Sequence, residues 1–114
     1  MTTAYCYDPL YLEHNLHSHP ENRARLERVI QTLAGEGLLA LMTPVAPRPV
    51  ELALLACVHR QSYIAALKDF AESGGGHIDA DTYVAPRSYD AALLAAGGAV
   101  EKPPTLKGVR PVPF

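Results

Sequence analysis

The stretch 18–33 reads Ser-His-Pro-Glu-Asn-Arg-Ala-Arg-Leu-Glu-Arg-Val-Ile-Gln-Thr-Leu and carries the strongest helix signal in the chain. Its first four residues form a capping box, in which the Ser18 hydroxyl accepts a backbone N–H and Glu21 reaches back to the N–H of Ser18. Apolar side chains follow at the i, i+3, i+4 and i+7 positions, namely Leu26, Val29, Ile30 and Leu33. The stretch predicts an amphipathic helix that Ser18 caps and that Gly35 and Gly37 stop.

Shorter elements flank this helix. Residues 3–7 predict an opening strand and residues 38–45 a second short strand. Further helices are predicted at residues 50–57, 59–72 and, capped by Ser88, from 89 to about 97. Two short strands do not make a stable open sheet, and apolar helix faces need a partner layer. We therefore predict that these elements form only a part of a larger domain.

The end of the chain differs in composition from the rest. Residues 102–114 contain the prolines Pro103, Pro104, Pro111 and Pro113, which cannot continue a helix. We predict a partial domain over residues 1–101 and an extended or disordered proline-rich tail over residues 102–114.

Composition excludes several classes of protein. The hydrophobic fraction of 48%, the charged fraction of 19% and the net charge of −2 are those of an ordinary globular chain. No nucleic-acid partner and no membrane partner are expected, because there is no basic patch and no apolar run of membrane-spanning length. Cys6 and Cys57 lie among apolar residues and are predicted to be buried thiols, which suits a cytoplasmic location.

A group of histidines is the first candidate site. His14, His17 and His19 are close enough in sequence to bind a divalent metal ion. The favoured alternative is that these histidines pack, cap or line a pocket rim, because no cysteine or carboxylate lies at an obvious ligand spacing. His59 is predicted to be a packed or hydrogen-bonded histidine, and His77 to be solvated.

A pair of aspartates is the second candidate site. Asp79 and Asp81, spaced as D-x-D, could bind Mg²⁺ or Ca²⁺, but their favoured interpretation is a turn in which the carboxylates accept backbone amides. The run Gly74-Gly75-Gly76 is not a phosphate loop, because it follows a helix and lacks the GK[S/T] ending.

Three segments in order resemble the histone deacetylase and acetylpolyamine amidohydrolase family, which includes bacterial acetoin-utilisation members. Residues 19–26 are similar to its H-P-E-x-x-x-R-L helix start, and residues 55–64 to its L-x-x-V-H-x-x-x-Y-I segment. Residues 79–99 are similar to its D-x-D-T block, which continues through a serine and an alanine-rich run to Gly-Gly. The resemblance covers about residues 4 to 100.

The resemblance implies an α/β fold: the N-terminal part of a three-layer arginase/deacetylase-like domain around a mostly parallel, eight-stranded sheet. In this chain that part is expected to be mostly helical, with one or two short strands. The resemblance also implies that residues 14–21, including His19, Pro20 and Glu21, form the mouth of a substrate tunnel. Asp81, or less favourably Asp79, is then the rim acid that accepts hydrogen bonds from the substrate backbone.

The family's chemistry lies outside the segments matched here. In complete members, zinc held by two aspartates and a histidine polarises an acetyl-amide carbonyl, and a tandem histidine pair moves protons. After Gly98 this chain departs from the family pattern: Val109-Arg110-Pro111 is similar to the start of V-R-P-P-G-H-H, but no histidine pair follows. We therefore expect no catalytic residue, no bound cofactor and no activity from this chain alone, as in a truncated or frame-disrupted copy.

Two other functions stay open at this stage. A non-catalytic binding or oligomerisation module would associate with itself or with the missing remainder of the enzyme through the stripe on the 18–33 helix. A small metal-binding protein would use His14, His17 and His19.

Overall fold

The computed structural model describes residues 3–101, and helices are the main elements of this part of the chain. In chain order the elements are β1 (Ala4–Tyr5), a first 3-10 helix (Pro9–Glu13), α1 (Arg23–Gly35), a second 3-10 helix (Leu39–Leu41), β2 (Thr43–Pro44), α2 (Leu52–Leu55), α3 (Gln61–Glu72), β3 (Gly76–His77), β4 (Tyr83–Val84) and α4 (Ser88–Val100). The proline-rich tail predicted at 102–114 lies outside the described residues.

Helix α1 begins four residues later than its capping box predicts. The N-cap is Asn22, whose side chain accepts the N–H of Ala24 at 2.9 Å. The prediction of Ser18 as the cap is wrong because Glu21, which should reach back to Ser18, faces His14 instead. Residues 17–22 consequently form turns rather than a first helical turn.

The end of α1 agrees with the prediction. Gly37 has a φ of 72°, a left-handed conformation that favours glycine. Its N–H donates to the carbonyl of Ala34 at 3.1 Å, and the N–H of Leu38 donates to that of Leu33 at 2.9 Å. These two bonds are a Schellman motif, and they satisfy carbonyls that the helix end leaves free.

The predicted apolar stripe of α1 is present but only partly covered. No residue of α1 is buried, and Val29 is 51% exposed. The stripe is therefore an apolar face that residues 3–101 leave open to a partner layer.

The strands form two separate ladders. β1 pairs in parallel with β2, with Ala4 opposite Thr43 and Tyr5 opposite Pro44. The second strand was predicted within 38–45, and the second 3-10 helix occupies the first part of that range. β3 and β4 form an antiparallel hairpin that we did not predict, because strands of two residues are too short to show a period of two.

The core lies where α3 and α4 pack over the hairpin. Ile64, Ala71, Val84 and Tyr89 form its buried cluster. Helix α3 has one apolar face, since Ile64 and Ala71 are buried and Leu67 and Phe70 pack against the cluster. Helix α4 also packs against the 3-10 helix at Pro9–Glu13.

Helix α4 is longer than predicted, and Ser88 is its first residue rather than its cap. The cap position is held by Arg87, which makes no capping hydrogen bond through its side chain. The Ser88 hydroxyl instead accepts the N–H of Ala85, three residues back, at 2.7 Å. The helix continues past Gly97, which is buried at a point where a neighbouring segment comes too close for a side chain.

The two thiols differ from each other. Cys6 is half-buried, and its Sγ donates to the carbonyl of Gly98 at 3.4 Å. Burial, and secondarily the charge of Glu101, raises the pKa of this thiol. The prediction that Cys57 is buried is wrong: it is exposed, because it follows a helix of only one turn that covers little surface. Among residues 3–101, no helix has the length and apolar character that crossing a bilayer requires.

Candidate functional site

Two segments that the sequence singled out lie against each other. The first is residues 14–22, here named the histidine segment, and the second is residues 79–82, here named the acidic turn. They are joined by a hydrogen bond of 2.9 Å between the Nε2 atom of His19 and the backbone carbonyl of Asp81. This contact brings together His19 and Asp81, two of the four residues predicted to form a rim.

The acidic turn is closed by its first carboxylate. Asp79 accepts the backbone N–H of Asp81 at 2.8 Å, which is the turn predicted from the D-x-D spacing. That bond, followed by the Thr82 hydroxyl, lowers the pKa of the Asp79 carboxyl, because both donors favour the ionised form. The N–H of Ile78 donates to the carbonyl of Thr82 at 2.9 Å and completes the hairpin.

The carboxylate of Asp81 is in a different situation. The residue is exposed, and its carboxylate makes no hydrogen bond or ion pair with any residue in the range 3–101. Its backbone N–H and carbonyl are both occupied, by Asp79 and His19. The backbone of Asp81 is therefore held at two points, while its charge faces solvent.

The histidine segment is also attached to helix α4. The Nδ1 atom of His14 lies 2.6 Å from the Ser88 hydroxyl, and its Nε2 atom lies 3.6 Å from a carboxylate oxygen of Glu21. His14 thus connects Glu21, at the outer surface, with the buried start of α4. The sequence provides no signal for this contact, because His14 and Ser88 are 74 residues apart.

The remaining predicted residues are more peripheral. Pro20 and His17 are exposed, and His17 makes no hydrogen bond to the acidic turn. His59 and His77 are exposed, and their rings lie against those of Tyr63 and Tyr83, tilted in the first pair and edge to face in the second, with centroids 5.6 and 5.2 Å apart.

The described residues do not fit a metal ion. Within 3–101, no group of three or more histidine, cysteine, aspartate or glutamate side chains converges as a ligand set. Both ring nitrogens of His14 and of His19 already face protein partners. The three-histidine metal site stays a prediction without support from this geometry.

A cavity of about 410 Å³ opens beside the histidine segment. Its walls are mostly apolar and include Tyr11, Leu67, Tyr83 and Tyr89, and its polar groups include His14, Glu21 and Ser88. The Tyr11 hydroxyl donates to the carbonyl of Leu94 at 3.3 Å, and burial is the main cause that raises its pKa. Sequence patterns could not reveal this cavity, because its walls come from four separate parts of the chain.

The arrangement suits an elongated ligand with one apolar part and one polar part. The cavity can take an apolar chain, since such walls exclude water. The acidic turn offers the exposed carboxylate of Asp81, on a backbone held at two points, which can accept hydrogen bonds from N–H donors.

Similarity to known proteins agrees with this architecture. A family profile described as the histone deacetylase domain matches residues 19–106, more than half of the chain. A probable deacetylase of Methanothermobacter thermautotrophicus is 33% identical over 99 residues, covering 82% of this chain and 28% of the relative. Histone deacetylase 8 of Arabidopsis thaliana is 34% identical over 92 residues, covering 80% of this chain and 24% of the relative.

A solved structure shows the same fold. The crystal structure of the HDA15 HD domain superimposes with a TM-score of 0.78 and 26% identity, over 86% of this chain and 30% of that chain. The short parallel β1–β2 pair and the helices around it are thus part of an α/β deacetylase-like domain. The chain spans 24% to 30% of the length of these three proteins. It belongs to the histone deacetylase family.

Proposed function

We propose that this chain forms the substrate-entrance part of a zinc-dependent amidohydrolase that cleaves an acetyl amide, such as acetyl-lysine or an acetylpolyamine. In this proposal Asp81 is the rim acid that accepts hydrogen bonds from the substrate, with His19, Pro20 and Glu21 beside it. The chain by itself does not hydrolyse the amide. We place it in the cytoplasm, where its two free thiols persist without pairing.

One observation carries the proposal: the exposed carboxylate of Asp81 has no partner among the described residues, and it lies on an acidic turn that contributes Thr82 to the wall of the apolar cavity. Asp79 and Asp81 were both candidates for the rim acid. The carboxylate of Asp79 is engaged by the N–H of Asp81, whereas that of Asp81 is not engaged by any described residue. This difference supports Asp81, because all of its carboxylate acceptor sites are available to substrate N–H groups, whereas those of Asp79 are partly occupied.

The inactivity of the chain alone follows from what the chemistry needs. In this family zinc supplies Lewis-acid activation of the carbonyl. The sequence has neither a D-x-H motif nor adjacent histidines, and the described residues assemble no ligand set. Hydrolysis then requires residues contributed by the rest of a deacetylase domain.

A chimeric enzyme tests the proposal. Residues 4–101 replace the matching segment of the Methanothermobacter probable deacetylase, and hydrolysis of an acetyl-lysine peptide is measured. Asp81→Asn should lower kcat/KM by about tenfold or more, because a charge-assisted hydrogen bond is lost. The matched control is Asp69→Asn, on the exposed side of α3, which should leave kcat/KM unchanged.

Two results would contradict the proposal. One is a chimera whose kcat/KM is unaffected by Asp81→Asn. The other is zinc-dependent hydrolysis by the purified 114-residue chain, which would show that the ligand set can be assembled without further sequence.

A second candidate function is association through α1. The open stripe of this helix, with Val29 51% exposed, favours docking with the remainder of the enzyme or with a second copy. Light scattering of the purified chain tests self-association. If the chain is a monomer at all concentrations, self-association is excluded, and docking with the remainder of the enzyme is the role left for the stripe.

A further inference from the structure

The four polar groups of His19 are all occupied. Its N–H donates to the carbonyl of Leu16 at 2.9 Å, and its own carbonyl accepts the side-chain amide of Asn22 at 2.7 Å. The Nδ1 atom accepts the backbone N–H of Glu21 at 3.0 Å, and the Nε2 atom lies 2.9 Å from the carbonyl of Asp81. Three of these hydrogen bonds hold His19 within the histidine segment, and the fourth joins it to the acidic turn.

These partners determine the form of the ring. Because Nδ1 accepts an N–H, it carries no proton, and the proton of the neutral ring is on Nε2. A carbonyl can only accept, so Nε2–H donates to the oxygen of Asp81. One tautomer thus satisfies both contacts, and the doubly protonated ring would lose the bond from Glu21.

We propose that His19 is a positioning residue that holds Asp81 for substrate binding. It anchors the carbonyl of Asp81 from the histidine segment, while Asp79 anchors the N–H from within the acidic turn. With both sides of its backbone held, only the side-chain torsions of Asp81, and not its backbone, have to be ordered when substrate binds. This inference rests on the rim role proposed for Asp81.

The two ring contacts can be separated by substitution. In His19→Asn, the amide oxygen lies where Nδ1 was and still accepts the N–H of Glu21, but the side chain is too short for Asp81. In His19→Gln, the amide nitrogen reaches the position of Nε2 and still donates to Asp81, but the bond from Glu21 is lost. His17→Asn is the matched control, because His17 makes no contact with the acidic turn.

Nuclear magnetic resonance of the full 114-residue chain tests the inference. Ring nitrogen shifts of His19 should report the Nε2–H tautomer in the unsubstituted protein. The amide order parameter of Asp81 should be about 0.8 in that protein, fall below about 0.6 in His19→Asn, and recover in His19→Gln and His17→Asn. A general loss of structure would lower the order parameters of α3 and α4 as well, so those helices are the internal reference.

Several results would overturn the inference: the Nδ1–H tautomer, an unchanged Asp81 order parameter in His19→Asn, or no recovery in His19→Gln. These measurements use no substrate, so the inference about His19 can fail independently of the proposed function. An Asp81→Asn chimera with full activity would remove the rim role even where the tautomer and the order parameters are as expected.

Discussion

Gly97 lies directly against the backbone of Arg48, so that a Cβ atom at position 97 would overlap the carbonyl group of Arg48. The same segment is attached to α4 by the N–H of Val50, which donates to the carbonyl of Leu93 at 2.9 Å. The glycine therefore allows the connection between β2 and α2 to cross α4 in close contact.

Substituting Gly97 with alanine should destabilise the fold. Alanine favours a helix interior over glycine, but here the added methyl group has no space, and displacing the Arg48 segment should cost about 1–3 kcal/mol. Urea denaturation measures the change in the free energy of unfolding. Gly35→Ala is the control, since a Cβ there meets no atom within 4 Å and should be neutral or stabilising. Equal effects of the two substitutions would contradict the packing argument.

Removing the Ser88 hydroxyl should also destabilise the protein. Ser88 is buried, and its oxygen accepts the N–H of Ala85 and lies 2.6 Å from His14. Ser88→Ala leaves a buried N–H without its acceptor, with an expected cost of about 1–3 kcal/mol. In the control Ser73→Ala, an exposed hydroxyl that donates to Phe70 is lost, and the effect should stay within about 0.5 kcal/mol. The thermal midpoint of each variant distinguishes them, and equal midpoints would rule out a stabilising role for Ser88.

The acidic turn should keep its Asp79 hydrogen bonds to a lower pH than an ordinary aspartate would. Hydrogen bonds from Asp81 and Thr82 lower the folded-state pKa of Asp79 below its usual value. Its contribution to stability is therefore complete above the unfolded-state pKa and is lost as the pH falls through the folded-state pKa. The amide shift of Asp81, followed by nuclear magnetic resonance, should titrate with a midpoint below that of an ordinary aspartate. In Asp79→Asn the same midpoint should disappear; its persistence would assign the titration to another group.

The apolar cavity should bind a hydrophobic dye in the isolated chain. Ile78 lies in its wall and is 56% exposed, so Ile78→Ser should reduce dye fluorescence. Leu41 is 79% exposed but lies outside the cavity, which makes Leu41→Ser the matched control. Dye fluorescence that falls equally in both variants would show that binding is spread over the surface.

Local patterns predicted the helices more reliably than their boundaries. Apolar spacing located α1, because a stripe repeats over several turns and is insensitive to any one residue. The predicted start of α1 was wrong because Ser18 and Asn22 are both good caps. The side chain of Glu21, which would support Ser18 as the cap, faces His14 instead. The β3–β4 hairpin was missed because its two-residue strands carry no pattern of their own.

The sequence by itself determined the family, the amphipathic helices, the glycine stop of α1 and the turn made by Asp79. All of these depend on residues near one another in the chain, whose propensities and hydrogen bonds act locally. Only the tertiary structure decided that His19 reaches Asp81, 62 residues away, and that His14 reaches Ser88. Such contacts form when packed helices bring distant loops together, and the residue types alone do not specify which distant groups will meet.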